Sequence, residues 1–540
     1  MYVLGIHGTF GRADHDAAAV LLHDGHIVAA AEEERFVRYK HAVGLMPDHA
    51  IRFVLDHAAI SMHEVDVVAF PRATWTDFAP RFSAYLWYQF GHVPEIEYVD
   101  HHLAHAASAY LVSGFDTSLI VTADQAGDGI SAAVFRARAG AITPVEAIPF
   151  PDSIGLYAAA MTQYLGYRSS HDEYKVMGLA AHGTPYLHQP LMANEAGLPR
   201  LNTTLLHREV FHRHPMFHTD QLPMIATDAL PGLSQRRLPG APLRAEHADI
   251  AATAQAVIES AVHGLVERHR RPEDTHLCVA GGVMENSVAV GKLRTGAGFA
   301  DIYAAPACGD AGTALGAALV VAAAHGHRPD RLEHTQLGPA FTDPEIHAVL
   351  TECAIVSTVT DDPADSAAEL LARGHIVAWF QGRMEYGPRA LGARSLLADP
   401  STVAMREQVN RIKRREEFRP FGPSVLSEHV AELFGRRTDI RAPFMSFTLP
   451  TADPGPIIAA THVDATSRPQ TVPPGGGLYR RLIERFHQRT GIPAVLNTSL
   501  NSGWEPIIAN PAQALAFFFS CPADALVIGS HIVTKHRDRR

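Results

Sequence analysis

The sequence predicts an α/β protein built from two domains, and three observations support this. Apolar, strand-like runs alternate with helix-like segments along the whole chain. The first half contains two β-hairpins, each with an acidic turn, which predicts a duplicated α/β domain. The helix-like sequence pattern ends near Leu337, and a capping pattern at Thr342 predicts the start of a new helix. A domain boundary is therefore expected within residues 330–343. We therefore expect one domain at residues 1–335 and a second at 336–540.

Composition and charge exclude several classes of protein. The chain has 540 residues, of which 47% are hydrophobic and 19% charged, which excludes disordered and fibrous proteins. Its net charge, 46 − 57 = −11, argues against a nucleic-acid partner. The four cysteines are isolated in sequence, so no CxxC zinc motif or disulfide framework is expected. No signal-peptide pattern and no long apolar run occur, so we expect a cytoplasmic protein without a membrane partner.

The elements of the first half follow in order from apolar runs and turn residues. Asp24-Gly25 predicts a type I′ hairpin turn. Residues 185–245 show no periodicity and are interpreted as an insertion of loops and short helices. Strands are predicted at Val3–His7, Ala17–Leu22, Ile27–Ala31, Val65–Phe70, Ile96–Val99, Ser118–Ala123, Ile130–Arg136, His276–Ala280 and Asp301–Ala304. Helices are predicted at Pro47–His57, His101–Leu111, Ile250–His269 and Asp310–His325, and Asp100 is expected to cap the second of them.

The second half is also predicted to be α/β. Helices are expected between its strands, and the first helix begins at the capping sequence Thr342-Asp343-Pro344-Glu345. The strands are predicted at His375–Phe380, Phe444–Leu449, Ile492–Leu496 and Ala525–Ile528.

Two histidines and two aspartates in the first half form a candidate metal site. His101 and His105 are spaced i, i+4 on a predicted helix, which places both imidazoles on one face. Asp124 follows a strand, and Asp310 lies in a glycine turn at a helix start, where α/β proteins place their ligands. Imidazoles with carboxylates suit Fe²⁺, Mn²⁺ or Zn²⁺. The alternatives are that Asp124 hydrogen-bonds backbone in its turn and that Asp310 caps its helix.

A glycine pair after the strand at 276–280 is a candidate nucleotide contact. Gly281 and Gly282 expose backbone N–H groups, and Asn286 adds a polar side chain at the following helix start. Such N–H groups can hold a phosphate or a ribose. The alternative is an ordinary tight turn between a strand and a helix.

The second half carries a dense group of cations between residues 382 and 419. Glycines and a proline flank Arg389 in Tyr386-Gly387-Pro388-Arg389-Ala390-Leu391-Gly392, and Lys413 and Arg419 follow. Arg468 and the segment Asn497-Thr498-Ser499-Leu500-Asn501 come later. Forked guanidinium groups on a fixed backbone suit a compact polyanion, whereas a basic helix face explains residues 406–415 equally well.

Taken together, these motifs resemble the O-carbamoyltransferases of antibiotic biosynthesis, of the tobramycin, novobiocin and cephamycin type. The resemblance covers nearly the whole chain and depends on several segments in one order. They are His15-Asp16-Ala17-Ala18-Ala19, Glu32-Glu33-Glu34-Arg35-Phe36, His101-His102-Leu103-Ala104-His105-Ala106, Glu173-Tyr174-Lys175-Val176-Met177-Gly178-Leu179, Gly387-Pro388-Arg389-Ala390-Leu391-Gly392, Phe418-Arg419-Pro420-Phe421 and Asn497-Thr498-Ser499.

The resemblance implies a fold and a reaction. It implies an N-terminal actin/Hsp70-like domain, similar to the tRNA threonylcarbamoyl transferases, followed by a domain similar to the threonylcarbamoyl-AMP synthases. The second domain would form carbamoyl-adenylate from carbamoyl phosphate and ATP. The first would transfer the carbamoyl group to a hydroxyl of a small-molecule acceptor such as an antibiotic, releasing AMP. A homodimer is compatible with this resemblance.

The resemblance also implies roles for individual residues. It implies Fe²⁺ or another divalent metal in the first domain and Mg²⁺ with ATP. The implied metal ligands are His101, His105, Asp124 and Asp310. The implied residues for adenylation are Lys413, Arg419, Arg468, Asn497 and Ser499, with Arg389 beside them. His15 matches a position near the transferred carbamoyl group, as a general base or a positioning residue; the alternative is a turn histidine.

Two other functions are weighed against this one. A hydrogenase-maturation-type carbamoyltransferase would use the same two domain types, but that family carries CxxC zinc pairs, which this sequence lacks. A non-catalytic, actin-like nucleotide-binding regulator would have no use for the cationic segment of the second half.

Overall fold

The chain forms two compact units. The computed structural model describes residues 1–10, 14–72, 77–186, 190–212, 222–435 and 440–535. Unit 1 consists of Met1–Glu33 and His41–Leu332, and unit 2 consists of Glu34–Lys40 and the chain from Glu333 onward. The sequence prediction assigns Glu34–Lys40 to the first domain. The structure places this short segment in unit 2, a difference that composition and periodicity do not signal.

The first sheet of unit 1 has five strands in the order β3-β2-β1-β4-β5. The first three strands pair antiparallel, and β4 and β5 continue parallel to β1. At the turn between β2 and β3, Asp24 and Gly25 have φ of 50° and 83°, as a type I′ turn requires. The strands are β1 (Tyr2–His7), β2 (Ala18–His23), β3 (His26–Glu32), β4 (Val67–Phe70) and β5 (Glu95–Tyr98).

The second sheet of unit 1 repeats this plan. Its order is β12-β11-β6-β7-β8, with three antiparallel strands followed by two parallel ones. The predicted duplication is therefore confirmed. The strands are β6 (Thr117–Gly127), β7 (Ile130–Arg138), β8 (Ala141–Pro149), β11 (His276–Ala280) and β12 (Asp301–Ala304), and a separate hairpin contains β9 (Met192–Glu195) and β10 (Leu198–Leu201).

Glycines let two helices of unit 1 approach their neighbours closely. A Cβ on Gly316 would lie 1.7 Å from the carbonyl oxygen of Ala104, and one on Gly5 would lie 2.0 Å from that of Ala314. Helix α9 (Ala311–Ala324) therefore packs directly against α4 (His101–Tyr110) and β1. The described helices that follow α1 (Glu34–Val37) are α2 (Asp48–Ala58), α3 (Phe78–Phe90), α4 (His101–Tyr110), α5 (Ile154–Tyr164), α6 (Glu173–Ala180), α7 (Ala245–His269), α8 (Ser287–Gly296) and α9 (Ala311–Ala324).

Unit 2 is built on an eight-stranded mixed sheet that is covered on both faces. The side chains of strand β14 (Val377–Phe380) alternate between two hydrophobic cores, one on each face of the sheet. Ala378 and Phe380 belong to one core, and Val377 and Trp379 belong to the other. The sheet order is β13-β22-β21-β14-β15-β20-β16-β19. Its strands are β13 (Thr358–Val359), β14 (Val377–Phe380), β15 (Arg394–Ala398), β16 (Gly422–Leu426), β19 (Gln470–Val472), β20 (Ala494–Ser499), β21 (Ala525–Ile528) and β22 (His531–Thr534).

Helices of unit 2 supply the other side of both cores. Side chains of α10, α12 and α15 join one core, and those of α11 and α14 join the other. The helix predicted after Thr342 is confirmed, and Thr342 and Glu345 form its capping box. The helices are α1, α10 (Asp343–Glu352), α11 (Pro363–Ala372), α12 (Val403–Lys413), α13 (Val430–Phe434), α14 (Gly477–Thr490) and α15 (Pro511–Ser520).

Two local predictions are wrong. The strand predicted at Phe444–Leu449 is reduced to β17 (Leu449–Pro450), which pairs with β18 (Thr466–Ser467). Met445 has φ of 53°, which interrupts an extended chain, while Phe444 and Phe447 are buried as side chains without strand pairing. The glycines between the strands at 118–123 and 130–136 also predict a turn at Gln125–Gly129, whereas in the structure β6 continues to Gly127 and the turn is limited to residues 128 and 129.

The insertion predicted at 185–245 contains the β9–β10 hairpin and short 3₁₀ helices, and its residues 187–189 and 213–221 lie outside the described chain. Within the described residues, no helix is long and apolar enough to cross a membrane.

Candidate active site

Four side chains of unit 1 converge in one place, and together they form what we call the metal cluster: His101, His105, Asp124 and Asp310. One ligand atom of each lies within 4.8 Å of those of the other three. His105 Nε2 lies 3.0 Å from Asp124 Oδ2 and 3.4 Å from Asp310 Oδ1. His101 Nε2 lies 3.5 Å and 3.6 Å from the same two oxygens. The structure thus brings together all four residues predicted as ligands.

Three elements position these side chains. Helix α4 begins at Asp100, whose side chain accepts a hydrogen bond from the Leu103 N–H at 2.8 Å, as predicted from the sequence. Asp124 lies where the pairing of β6 with β7 is irregular, between Ala123 and Gly127, and such irregularities redirect side chains. Asp310 precedes α9, and its side chain makes no capping hydrogen bond. The alternative that Asp310 serves as a helix cap is therefore wrong.

The electrostatics of the metal cluster favour a bound cation. Burial by itself would raise the pKa of Asp124, but His101 and His105 lower it well below its usual value. Burial would likewise lower the pKa of His105, but Asp124 and Asp310 raise it to about 9. The carboxylates are therefore ionised, and they favour a positive charge on the imidazole of His105.

Hydrogen bonding tests whether a metal ion fits these residues. Nε2 of His101, the nitrogen that faces both carboxylates, is buried and has no hydrogen-bond partner among the described residues. Buried polar atoms are normally satisfied, so this nitrogen points to an absent ligand. A Cβ on Gly127 would lie 2.0 Å from the His101 ring, so only glycine leaves space for that imidazole. Two imidazoles and two carboxylates fit a divalent transition metal.

His102, between the two histidines, has a different role. Its Nδ1 is 2.8 Å from Thr122 Oγ1, and its Nε2 is 3.1 Å from the Ile130 carbonyl oxygen. Burial lowers the pKa of His102 to about 3, so it is a neutral, hydrogen-bonded core residue.

His15 lies in a second group of side chains in unit 1. Its Nδ1 is 2.9 Å from Asp16 Oδ2, and the other oxygen of Asp16 is 2.9 Å from His41 Nδ1. Burial would lower the pKa of His15, but Asp16 raises it to about 10. Asp16 therefore holds the ring of His15 in place and favours its charged form.

The glycine pair after β11 lies against the metal cluster. A Cβ on Gly281 would lie 2.2 Å from the Ala123 carbonyl oxygen, and one on Gly282 would lie 3.1 Å from Asp124 Oδ1. Asn286 caps α8 by accepting from the Ala289 N–H and exchanges two hydrogen bonds with Gln255. These contacts account for Asn286 structurally, and its nucleotide contact stays a prediction.

Lys413 is the centre of a second site, in unit 2. It ends α12, and its side chain is buried, with 3% exposed. Its Nζ donates to the carbonyl oxygens of Ser499 and Asn501 at 2.5 and 2.6 Å, and to Asn501 Oδ1 at 2.6 Å. The pKa of Lys413 is held well below its usual value, first by burial and then by the charges of Arg415, Arg419 and Lys40. The surroundings of Lys413 are therefore rich in positive charge.

Asn497, another predicted site residue of unit 2, lies on strand β20 and contacts neighbouring segments of this unit. Asn497 and Ser499 are two apart on β20, so they share a face of the sheet. Asn497 Nδ2 donates to the Ala390 carbonyl oxygen at 3.1 Å and to Ser424 Oγ at 3.0 Å. Asn497 Oδ1 is buried without a hydrogen-bond partner among the described residues, so it is available to a ligand.

The segments that carry the two remaining predicted arginines, Arg389 and Arg468, are adjacent in unit 2. Gln470, two residues after Arg468, donates from Nε2 at 2.9 Å to the carbonyl oxygen of Leu391, two residues after Arg389. We use the name Lys413 site for Arg389, Lys413, Arg419, Arg468, Asn497 and Ser499.

The sequence interpretation missed residues that hold these sites in place. Glu385 Oε1 accepts from the N–H groups of Leu391 and Ala393, both at 2.7 Å, and so fixes the loop that carries Arg389. A buried acid before a loop of glycines and proline, whose amides need an acceptor, is the signal that could have identified it. Asn501 lies in the candidate segment Asn497-Thr498-Ser499-Leu500-Asn501, but it was not assigned a role. Its carbonyl oxygen accepts from Lys413, a contact between distant parts of the sequence that only the folded chain forms.

The described residues thus include a group of imidazoles and carboxylates in unit 1 that could hold a metal ion, and a group of cations around Lys413 in unit 2. Family models identify the class of protein to which the chain belongs. The carbamoyltransferase N-terminus model matches residues 3–86 and 83–319, and the carbamoyltransferase C-terminus model matches residues 368–535. The chain therefore belongs to the carbamoyltransferase family, and the resemblance to O-carbamoyltransferases that its motifs indicated is confirmed.

Individual relatives agree with this assignment. The nodulation protein NolNO of Sinorhizobium fredii is 36% identical over 96% of this chain and 79% of that protein. The nodulation protein NolO of Bradyrhizobium diazoefficiens is 37% identical over 81% of this chain and 79% of its own length. The 3'-hydroxymethylcephem-O-carbamoyltransferase of Amycolatopsis lactamdurans is 32% identical over 49% of this chain and 50% of that enzyme.

Among solved structures, T. kodakarensis HypF covers 60% of this chain and 48% of its own, at 15% identity and a TM-score of 0.33. That similarity is too weak to support an argument about fold.

Proposed function

We propose that this chain is an ATP-dependent O-carbamoyltransferase that works through carbamoyl-adenylate. One observation carries the proposal. The same carbamoyltransferase chain contains the buried metal cluster in unit 1 and a positively charged site around Lys413 in unit 2. The repeated sheet order of unit 1 supports an actin/Hsp70-like domain, and the two-sided sheet of unit 2 is compatible with a threonylcarbamoyl-AMP-synthase-like domain.

The first half-reaction is assigned to unit 2. Carbamoyl phosphate, ATP and water would give carbamoyl-adenylate, phosphate and pyrophosphate. Both substrates are polyanions, so Lys413, Arg419 and Arg468 would neutralise the phosphates as they approach one another. Mg²⁺ would accompany ATP. Asn497 Oδ1, buried and without a partner among the described residues, would accept a hydrogen bond from the amino group of the carbamoyl unit or of adenine.

The second half-reaction is assigned to unit 1. The acceptor oxygen would bond to the carbamoyl carbon, the bond from that carbon to the AMP phosphate oxygen would break, and the hydroxyl proton would leave. His101, His105, Asp124 and Asp310 would hold the divalent cation, Fe²⁺ by family resemblance, which would polarise phosphate or carbamoyl oxygens. His15, held by Asp16, would position the acceptor or the carbamoyl group.

The acceptor is proposed only as a hydroxyl-bearing natural product. The nodulation proteins cover more of this chain than the cephem enzyme does, so an antibiotic is one acceptor class among several. A screen should include aminoglycosides, noviose-like sugars, macrolides and hydroxymethylcephems.

The test is the formation of AMP and pyrophosphate from ATP without any acceptor. The wild-type protein should form both only when carbamoyl phosphate is present, and Lys413→Ala should abolish their formation. Lys292→Ala is the matched control, because that lysine is 62% exposed and pairs with Glu259. Conversion of ATP to ADP, or equal activity in Lys413→Ala, would contradict the adenylation step.

A further inference from the structure

A short segment of the N-terminal sequence belongs structurally to unit 2. Glu34–Lys40 lies between two stretches of unit 1 but packs with unit 2. It contains α1, which ends at Val37, and Arg38 follows with φ of 57°. A left-handed conformation is costly for a residue other than glycine, and it persists where surrounding contacts hold it. The contacts of Arg38 therefore need an explanation.

The guanidinium group of Arg38 binds three consecutive residues of unit 2. Its Nη1 donates to the Ile507 carbonyl oxygen at 2.8 Å. Its Nη2 donates to the Pro506 carbonyl oxygen and to Glu505 Oε2, both at 2.8 Å. The planar fork of an arginine can satisfy several fixed acceptors at once, which a lysine cannot do. Arg38 thus clamps one side of the turn at residues 501–505.

The same turn contacts Lys413 on its other side. Glu505 Oε1 accepts from the Ser502 N–H at 2.8 Å, and the Glu505 carbonyl oxygen accepts from Asn501 Nδ2 at 2.6 Å. Asn501 in turn provides two of the oxygens to which Lys413 Nζ donates. A continuous chain of hydrogen bonds therefore runs from Arg38 through Glu505 and Asn501 to Lys413.

We propose that Arg38 is a positioning residue for Lys413 and sets the location of its ammonium group through the turn at residues 501–505. This inference rests on the proposed function only for its effect on catalysis. Removing the clamp leaves Asn501 free to shift, and a displacement of about 1 Å at a catalytic group can cost about 100-fold in rate. Because Lys413 itself is retained and only its position changes, the loss should fall on kcat more than on KM.

Kinetics test the catalytic part of the proposal. Arg38→Ala should lower kcat for carbamoyl-phosphate-dependent AMP formation about 10- to 100-fold, with a smaller change in KM. Arg38→Lys should restore little, because one ammonium cannot replace the fork. Glu505→Ala should resemble Arg38→Ala, and the double variant should be no worse than either, since both break one chain of contacts. Arg373→Ala is the control, because that arginine is 65% exposed and pairs only with Glu369 among the described contacts.

A second readout does not depend on activity. Acetylation of lysines by an N-hydroxysuccinimide ester, followed by peptide mass spectrometry, should label Lys413 slowly in the wild-type protein and faster in Arg38→Ala. Lys535, which donates to the Ala523 carbonyl oxygen at 3.0 Å in unit 2, is the internal reference. If the wild-type protein forms no AMP, the proposed function fails while this comparison still decides the positional link.

Two outcomes would overturn the proposal. One is an Arg38→Ala variant in which the labelling of Lys413 is unchanged. The other is faster labelling of Lys413 and Lys535 together, because that would report a general opening of unit 2 rather than displacement of one side chain.

Discussion

The metal cluster of unit 1 and the Lys413 site of unit 2 satisfy their charges in opposite ways. In the metal cluster, two ionised carboxylates face two imidazoles and, against the effect of burial, raise the pKa of His105 to about 9, so the negative charge there favours a proton or a cation. Around Lys413, neutral oxygens accept the hydrogen bonds, while burial and then neighbouring cations lower the pKa of the lysine. The first arrangement suits a cation, which would replace the proton on His105. The second groups several cations around Lys413, an arrangement that would suit an anionic ligand.

The largest expected effect comes from removing a member of the metal cluster. His105→Ala should abolish stoichiometric binding of a divalent metal and lower carbamoyl transfer at least about 100-fold, because even groups outside the first coordination shell contribute up to that factor. AMP formation by unit 2 should persist, since none of its residues changes. Metal content after dialysis, measured by mass spectrometry, and transfer to an acceptor from the screen report the two effects.

The control for this variant is His26→Ala, because His26 is 65% exposed and pairs only with Asp330 among the described contacts. A His105→Ala protein that retains the wild-type metal content would refute the ligand assignment. Parallel loss of AMP formation would show that the two sites do not act separately.

A smaller effect should follow from separating the helices that carry the ligands. Gly316→Ala places a methyl group 1.7 Å from the Ala104 carbonyl oxygen, so α4 and α9 must move apart. Such overpacking typically costs about 1–3 kcal/mol of unfolding free energy, and it should weaken metal binding because Asp310 precedes α9. Urea unfolding and metal titration measure these changes.

Gly296→Ala is the matched control, because no atom lies within 4 Å of its added Cβ and it ends helix α8. It should leave both stability and metal affinity close to wild type. Equal effects from the two glycine variants would mean that close packing of α9 on α4 does not set the metal cluster.

The smallest expected effect concerns salt. Between about 0.1 M and about 1 M NaCl the Debye length falls from about 10 Å to about 3 Å, so attraction of polyanions to the Lys413 site should weaken. We expect KM for carbamoyl phosphate to rise severalfold while metal content stays constant, because the metal cluster is buried. Sucrose at matched osmolality is the control. A KM that does not change with salt would argue that contact hydrogen bonds, rather than long-range charge, recruit the substrate.

The sequence predicted the local structure well where a pattern repeats. Strands at 276–280, 301–304 and 525–528 were predicted to the residue, and Asp100 and Thr342 cap the helices as expected. Prediction failed at Phe444–Leu449, where buried aromatic residues suggest a strand. The left-handed Met445 prevents one, and nothing in the local composition signals it.

The candidate sites show the same difference between features that local sequence determines and features that tertiary contacts determine. The spacing of His101 and His105 on one helix is local, and the sequence alone determined that both imidazoles share a face. The turns that carry Asp124 and Asp310 made these residues candidates as well, and the family resemblance implied all four as ligands. Only the tertiary structure decided that their carboxylates meet the imidazoles, because this depends on β6 and on the close approach of α9 to α4 at Gly316.

The same distinction holds in unit 2 and explains what the sequence could not determine. Its cations are visible in the composition, since each is a residue type. That Arg38, far away in the chain, anchors the turn that holds Lys413 depends on hydrogen bonds across more than 450 residues of sequence. Periodicity and capping act within a few residues, so they specify elements. Contacts between distant segments arise only when those elements pack, and both sites are made of such contacts.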